Sequence, residues 1–364
     1  MSIRLIVLLG IFTFSVHGVI GSAAEAVVFE PEVEQAEPAQ SARAWLFLAA
    51  KRGDLAKINE LIESGSDVNA RDEDGMTPLM IAVKHGAESE VLSVLIEGGA
   101  KVDARDVVGN SALLYAARHS MSVSVFDILL QAGAGVNVRN ERGETPLMIA
   151  VENGTGSDVI NRLFQAQANV DARDIQGRTA LMHGLIANAE MPVIERLLEE
   201  GADVNAREAL QVTPMMFAAR YGRSVETIEL LLDHGARIRD RVPADYLPYT
   251  HNGLSGDTVP SFAAAYNTNL DVVRFLIENW GDVNEAVLVR GRLRKGEPIV
   301  GMKTTLLILA ARSNPSPAVL ELFLDAGVDP MFKTVLNETA LYFAKKNPGL
   351  KGTDAFWKLN DASF

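Results

Sequence analysis

The hexapeptide Thr77-Pro78-Leu79-Met80-Ile81-Ala82 returns down the chain at a fixed interval, and that period constrains the fold more than any other feature. It reappears as Ser111-Ala112-Leu113-Leu114-Tyr115-Ala116, Thr145-Pro146-Leu147-Met148-Ile149-Ala150, Thr179-Ala180-Leu181-Met182 and Thr213-Pro214-Met215-Met216-Phe217-Ala218, each 34 residues after the last. Weaker copies begin at Val259, Thr305 and Thr339, at spacings of 46, 46 and 34, and Ala44-Trp45-Leu46-Phe47-Leu48-Ala49 lies 33 residues before Thr77. A period of this size marks a solenoid, in which no unit buries its apolar face alone and stability comes from stacked neighbours. Nine units are expected, with about a dozen extra residues ahead of each of the anchors at Val259 and Thr305.

Each unit carries a second signature and a turn. Leu95-Ile96-Glu97-Gly98-Gly99-Ala100-Lys101-Val102-Asp103 matches the stretches beginning at Leu129 and Leu197, and Asp72 to Gly75, Asp106 to Gly109, Asn140 to Gly143 and Asp174 to Gly177 follow as tight turns. Thr77 is placed to cap a helix and Pro78 suits its first position. Leu79 and Ala82, three apart, share a helical face. Gly99 supplies the left-handed residue after a second helix. Val102, Val136, Val170 and Val204 are expected to bridge adjacent cores. Gln167 and Trp280 stand where Gly99 stands, and Gln211 replaces a turn glycine, so those joints are expected to be weaker or differently built.

These elements resemble the ankyrin repeat, with its T-P-L-x-x-A, L-L-x-x-G-A-x-V-N and D-x-x-G motifs, from about Ala44 to the C-terminus. The resemblance implies an all-α solenoid of stacked helix pairs with turn or hairpin fingers, and a function in protein–protein binding. The family's histidine after T-P-L is replaced by Met80, Leu114, Met148, Met182 and Met216, which are expected to fill core space. The style of the repeats is similar to that of bacterial members.

Residues 1–24 have a positive start at Arg4, an apolar run from Leu5 to Phe14 and small residues at Ser22, Ala24 and Ala26. That is the layout of a cleaved secretory signal peptide. Export to a periplasmic or extracellular space is therefore expected, with no membrane span after cleavage. Residues 25–42 form an acidic, proline-containing linker with Glu25, Glu30, Glu32, Glu34 and Glu37 and no Lys or Arg. They read as a solvated spacer or as an arm for a basic partner. The array is expected over residues 43–364, with insertions near 241–257 and 285–303.

The 364 residues carry a net charge of -13, which argues against nucleic acid as the partner, and zero Cys excludes disulfides, thiolate metal sites and a Cys nucleophile. No His-Glu-x-x-His, phosphate-binding loop or nucleophile elbow occurs. His85 and His119 occupy one repeat position in adjacent units and read as polar residues near a helix end. No metal, cofactor or catalytic residue is assigned.

Contact candidates come from two places. Positions before each helix end, placed on the concave side by the resemblance, carry Lys84, His85, Arg118, His119, Arg220 and Tyr221, with Glu152, Asn153, Arg312 and Ser313 in the same column. This row is more basic than the chain as a whole, so an acidic contact surface on a partner protein is expected. The insertions add Tyr246 and Tyr249 in the first, and Arg290, Arg292, Arg294 and Lys295 in a basic hairpin in the second. The hairpin is expected to close without core positions and to add little stability. Arg71, Arg105, Arg139, Arg173 and Arg207 recur beside Asp72, Asp106, Asn140, Asp174 and Glu208, and read as a charge-patterned contact surface or, in preference, as mutual pairing with those side chains that orders successive turns.

The resulting expectation is a monomeric, non-catalytic scaffold or inhibitor of a partner protein outside the cytoplasm. One alternative is an exported effector that binds a protein of another cell. An enzyme built from His251, Asp245, Asp257 and Tyr249 in the insertions is the alternative of a different class.

Overall fold

A computed structural model describes residues 38–243, 257–292 and 298–364. The helices alternate between two rows. The first row holds α1 (Pro38–Arg52), α3 (Pro78–Lys84), α5 (Ala112–Arg118), α7 (Pro146–Glu152), α9 (Ala180–Ala187), α11 (Pro214–Tyr221), α13 (Val259–Tyr266), α15 (Leu306–Ser313) and α17 (Ala340–Ala344). The second holds α2 (Leu55–Glu63), α4 (Ser89–Glu97), α6 (Val123–Gln131), α8 (Ser157–Gln165), α10 (Met191–Glu199), α12 (Val225–Asp233), α14 (Leu270–Trp280), α16 (Pro317–Asp325) and α18 (Asp354–Ala362). From α3 onward, each first-row helix packs on the next. The second row packs in two runs, α2 to α10 and α12 to α18.

The motif residues do what their chemistry predicts. Thr77, Ser111, Thr145, Thr305 and Thr339 each accept the N–H three residues on and so cap their helices. Thr258 caps α13, so the anchor of that unit is Thr258 rather than Val259, and the spacings become 45 and 47. Thr179 and Thr213 hold the same place without that bond. Met80, Leu114, Met148, Met182 and Met216 are all buried. Val204 is buried, and Val102, Val136 and Val170 pack half-buried against the same core.

Successive fingers, the turns between helix pairs, are joined by backbone hydrogen bonds. Val107 N–H donates to Asp74 C=O, Glu141 to Val108 and Ile175 to Arg142, each at 3.0 Å, and Ala209 donates to Gln176 at 2.7 Å. The next donor in this 34-residue register is position 243, a proline with no N–H. The ladder stops there, where the first insertion begins.

Finger glycines follow from the ladder. Gly143 has φ +73°, and a Cβ on it would lie 3.0 Å from the Ile175 nitrogen of the next finger. Gln211 adopts the same left-handed conformation, at φ +64°, in the finger that faces Pro243 and is followed by no further ladder bond. Glycine thus gives way in the finger that Pro243 leaves without a following ladder bond. Gln167 is left-handed as well, at φ +65°, so its joint keeps the geometry at a conformational cost. The Trp280 joint is built differently. Here α14 runs two residues longer, Gly281 takes the positive φ, and buried Trp280 donates its indole N–H to Glu285 at 3.0 Å.

Both insertions are enlarged fingers. Val242 N–H donates to Asp257 C=O at 2.8 Å, the bond that Asp72 N–H makes to Met76 C=O in an ordinary finger. The second insertion is an antiparallel hairpin of β1 (Val287–Arg292) and β2 (Pro298–Thr304), pairing Val287 with Thr304 and broken by a bulge between Val289 and Gly291. Its base does use core positions. Val287, Val289 and Met302 are buried in the main core, contrary to the sequence expectation of a freely added loop. Once three consecutive apolar side chains start a strand at the finger base, alternation turns two of them inward.

Candidate functional site

Several first-row helices end in charged or aromatic residues beside the next helix. Lys84, half-buried at the end of α3, holds its ammonium 5.9 Å from the Tyr115 ring centroid. His85 caps that helix and is exposed. Arg118 ends α5, is exposed, and pairs with Glu144 at 3.4 Å. His119, the exposed cap of α5, stacks on Tyr115 with ring centroids 6.2 Å apart. Arg220 lies over the Tyr266 ring at 3.9 Å and over Tyr221 at 5.0 Å, and Tyr221 in turn stacks on Phe217. The column therefore brings Lys84, His85, Arg118 and His119 together in adjacent helix pairs. Arg220 and Tyr221 form a second group further along.

The true anchor Thr258 extends the column. Counting seven residues from each anchor gives Lys51, Lys84, Arg118, Glu152, Ile186, Arg220, Ala265, Arg312 and Lys346. Arg312 lies over Phe343 at 5.1 Å and Lys346 over Tyr342 at 3.8 Å. Lys51 and Lys346 escaped the sequence reading, although the column position would have found both. A cation held over a ring keeps an exposed charge on an apolar support.

Inside the stack, polar pairs tie the first helix to its own finger. Tyr115 donates to the Asp106 carboxylate at 2.6 Å, and burial with that bond pushes the Tyr115 hydroxyl up to about 12. His183 sits nine residues after Asp174 in the same arrangement, with Nε2 3.0 Å from Asp174 and Nδ1 3.3 Å from Glu152. Both ring residues occupy a position that is Ile81 or Ile149 elsewhere, so the repeat pattern marked them only as substitutions in an apolar place.

The arginine ladder has other partners than expected. Arg71, Arg105, Arg173 and Arg207 donate to the backbone carbonyls of Arg105, Arg139, Arg207 and Arg241, the last two at 2.6 and 3.2 Å. The adjacent acids turn inward and close their own fingers. Asp106 Oδ1 accepts from Val108 and Asn110, Asp174 Oδ1 from Gln176 and Arg178, and Glu208 Oε1 from Leu210 and Val212. A carboxylate bound to two N–H groups has no reason to turn outward to a solvated guanidinium.

Asparagines form further ties. Asn69, Asn137, Asn205 and Asn284 each donate to a carbonyl of the next unit (Gly99, Gln167, Gly235, Gly327) and accept an N–H from the residue two further on. A buried set begins at α11. Asn267 donates to Ala219 and Gly222, Asn314 to Ala264 and Asn267, and Asn347 to Ala311 and Asn314, all between 2.8 and 3.1 Å.

The family-model comparison reads this architecture in the same way. The model for ankyrin repeats in three copies matches residues 46–140, 120–208, 147–242 and 184–287, which together cover 46–287. The chain belongs to the ankyrin repeat family. Ankyrin repeats are protein–protein interaction modules, and helix pairs α15/α16 and α17/α18 continue the same packing beyond the matched span. Comparison with curated proteins finds no match.

Several sequence candidates lie outside the described residues: Tyr246, Tyr249, Arg294 and Lys295, together with His251 and Asp245 of the enzyme alternative. Arg290 and Arg292 are placed in β1 by their backbone only. Asp257 is buried and engaged, accepting from Arg241 at 2.9 Å and from Leu288 N–H at 2.7 Å. Among the described residues, no group of three or more His, Asp or Glu is arranged to hold a metal, and no helix is long and apolar enough to cross a membrane.

Proposed function

We propose that this ankyrin repeat protein acts without catalysis, as a monomeric scaffold or inhibitor of a partner protein outside the cytoplasm. The observation that carries the reading is the column of cations supported on rings at the ends of the first-row helices, above all Arg220 over Tyr266 at 3.9 Å. Arg and Tyr supply much of the binding energy at protein interfaces, because a rigid, partly desolvated side chain loses little entropy on contact. Stacked helix pairs present that chemistry at Lys84, Arg220, Arg312 and Lys346, so a partner meets several anchors at once. The signal-peptide layout of residues 1–24 supports the location, and the net charge of -13 supports a protein over a nucleic acid.

The test is capture of a partner by the tagged protein from its own compartment, comparing wild type with an R220E/R312E variant. Loss of two anchors of about 2 kcal/mol each lowers affinity by at least ~30-fold. Equal recovery of the same partner by both proteins overturns this surface as the contact face. Mass spectrometry of the native protein gives the companion result: an N-terminus near Glu25 or Val27 is expected, and an intact Met1 in the cytosol overturns the location.

A further inference from the structure

The cation column is not uniform. Its first three members, Lys51, Lys84 and Arg118, are consecutive and cationic, and the next residues in sequence are Arg52, His85 and His119. Glu152 and Ile186 then end the block. A chain with 13 surplus negative charges thus concentrates six basic side chains at the ends of α1, α3 and α5.

The surroundings of the two histidines define the site. His85 feels Lys51 from α1, Lys84 from its own helix and His119 from α5. His119 feels Lys84 and Arg118 and stacks on Tyr115. The carboxylates on the adjoining elements are mostly engaged. Asp54 accepts the Lys57 N–H at the start of α2, Glu144 pairs with Arg118 and Glu152 meets His183, whereas the Glu88 side chain makes no capping bond at the start of α4. Desolvation first, and then these neighbouring cations, hold both imidazoles below their ordinary value, so they are mainly neutral near pH 7 in the free protein. Carboxylates brought onto the block reverse that second influence.

We propose that the ends of α1, α3 and α5 form a proton-coupled docking site for a short carboxylate-rich segment of a partner protein, held by Lys51, Lys84 and Arg118 and completed by proton uptake at His85 and His119. This rests on protein recognition as the function. Helices packed 8–10 Å apart put the outer members of the block roughly 20 Å apart, which about six extended residues span. The block's short length and the negative remainder of the chain favour an acidic peptide over a long polyanion. Linkage gives the sign: a ligand that raises the histidine pKa values binds more tightly as pH falls. Without ligand the same histidines act the other way. Their lowered values mean that they withdraw stability from the fold as pH falls below about 6.5, the ordinary histidine value.

The test is isothermal titration of the full chain with octa-glutamate at pH 6.0 and 8.0, where the peptide carboxylates stay ionised. A glycine–serine octamer and an eight-nucleotide oligothymidine serve as comparisons. The expected result is octa-glutamate binding that strengthens about 3–30-fold from pH 8.0 to 6.0, for a rise of one pKa unit at each of one or two histidines, with measured proton uptake. An H85Q/H119Q variant loses both the pH dependence and the proton uptake. K84E/R118E loses at least ~10-fold at both pH values, with its helicity unchanged by circular dichroism. Equal affinity at both pH values, an unaltered pH dependence in H85Q/H119Q, or preference for oligothymidine each overturns the proposal. If octa-glutamate fails to bind while R220E/R312E still loses a captured protein, the acidic docking site is wrong and protein recognition stands.

Discussion

The array divides at Pro243, and beyond the asparagine ties that both sides share, from Asn69 to Asn284, its two parts keep successive units in register by different means. Up to Ala209 the tie is made at the finger tips, by main-chain bonds such as Ile175 N–H to Arg142 C=O. From α11 onward it is made inside the stack, by Asn267, Asn314 and Asn347, each reaching back to two carbonyls of the preceding unit. The exchange is immediate: Pro243 ends the first ladder, and Asn267 opens the second on Ala219 and Gly222. The lesson concerns what each tie leaves free. A finger-tip ladder needs short, uniform fingers with glycine at their closest approach. A buried side-chain ladder releases the fingers, and the two enlarged ones occur where it takes over.

The largest effect that separates the two parts is expected at Asn314, which is fully buried. Asn314→Ala leaves the Ala264 and Asn267 carbonyls and the Ser316 N–H without partners, at a cost of about 3 kcal/mol or more. Because repeat arrays unfold by region, urea melts followed by circular dichroism and by fluorescence of Trp280 and Trp357 should show the C-terminal part melting first. Coincident curves, shifted together, would mean that the two parts are one cooperative unit.

Next comes a pair of glycine exchanges with opposite signs. Gly143→Ala places a Cβ 3.0 Å from the Ile175 nitrogen in left-handed backbone, and is expected to lose about 2 kcal/mol. Gln211→Gly, in the finger with no following ladder bond, is expected to gain about 1 kcal/mol. If Gln211→Gly also destabilises, the account of why that glycine could be lost is wrong.

The smallest effect belongs to the finger-to-helix tie of the N-terminal part. Tyr115→Phe removes the bond to Asp106 and is expected to lose about 1–1.5 kcal/mol at neutral pH. The raised Tyr115 value stabilises the fold fully below pH 10, the ordinary tyrosine value, and that contribution is lost as pH climbs through about 12. Chemical-denaturation midpoints of wild type and Tyr115→Phe should therefore converge between pH 10 and 12. A constant difference across that range would show that the hydroxyl is not what Asp106 holds.

Much of the fold was legible because its determinants recur. Five anchors 34 residues apart fixed the helix starts, and the residues that replace the family's histidine are buried, as core-filling side chains are expected to be. The Arg118 and Arg220 column was legible for the same reason. What stayed hidden occurs too few times to form a pattern. The Asn267, Asn314 and Asn347 ladder has irregular spacing, 47 and then 33, because one enlarged finger falls between its first two members. The missed Thr258 cap followed from letting Val259 stand at the anchor. The Tyr115 and His183 bonds depend on carboxylates nine residues away turning inward, a side-chain choice that no period encodes.

The proline that ends the finger-tip ladder also sets where the molecule can grow. A tandem duplication of one 34-residue unit upstream of Pro243 arrives with its own N–H for the finger before it and its own carbonyl for the finger after it. Such a copy is accepted without altering its neighbours. Downstream, a new copy must bring an asparagine that fits two existing carbonyls and must also accommodate an oversized finger. Lengthening by duplication is thus open on the N-terminal side and closed on the other, in keeping with near-uniform repeats on one side of Pro243 and individual ones on the other.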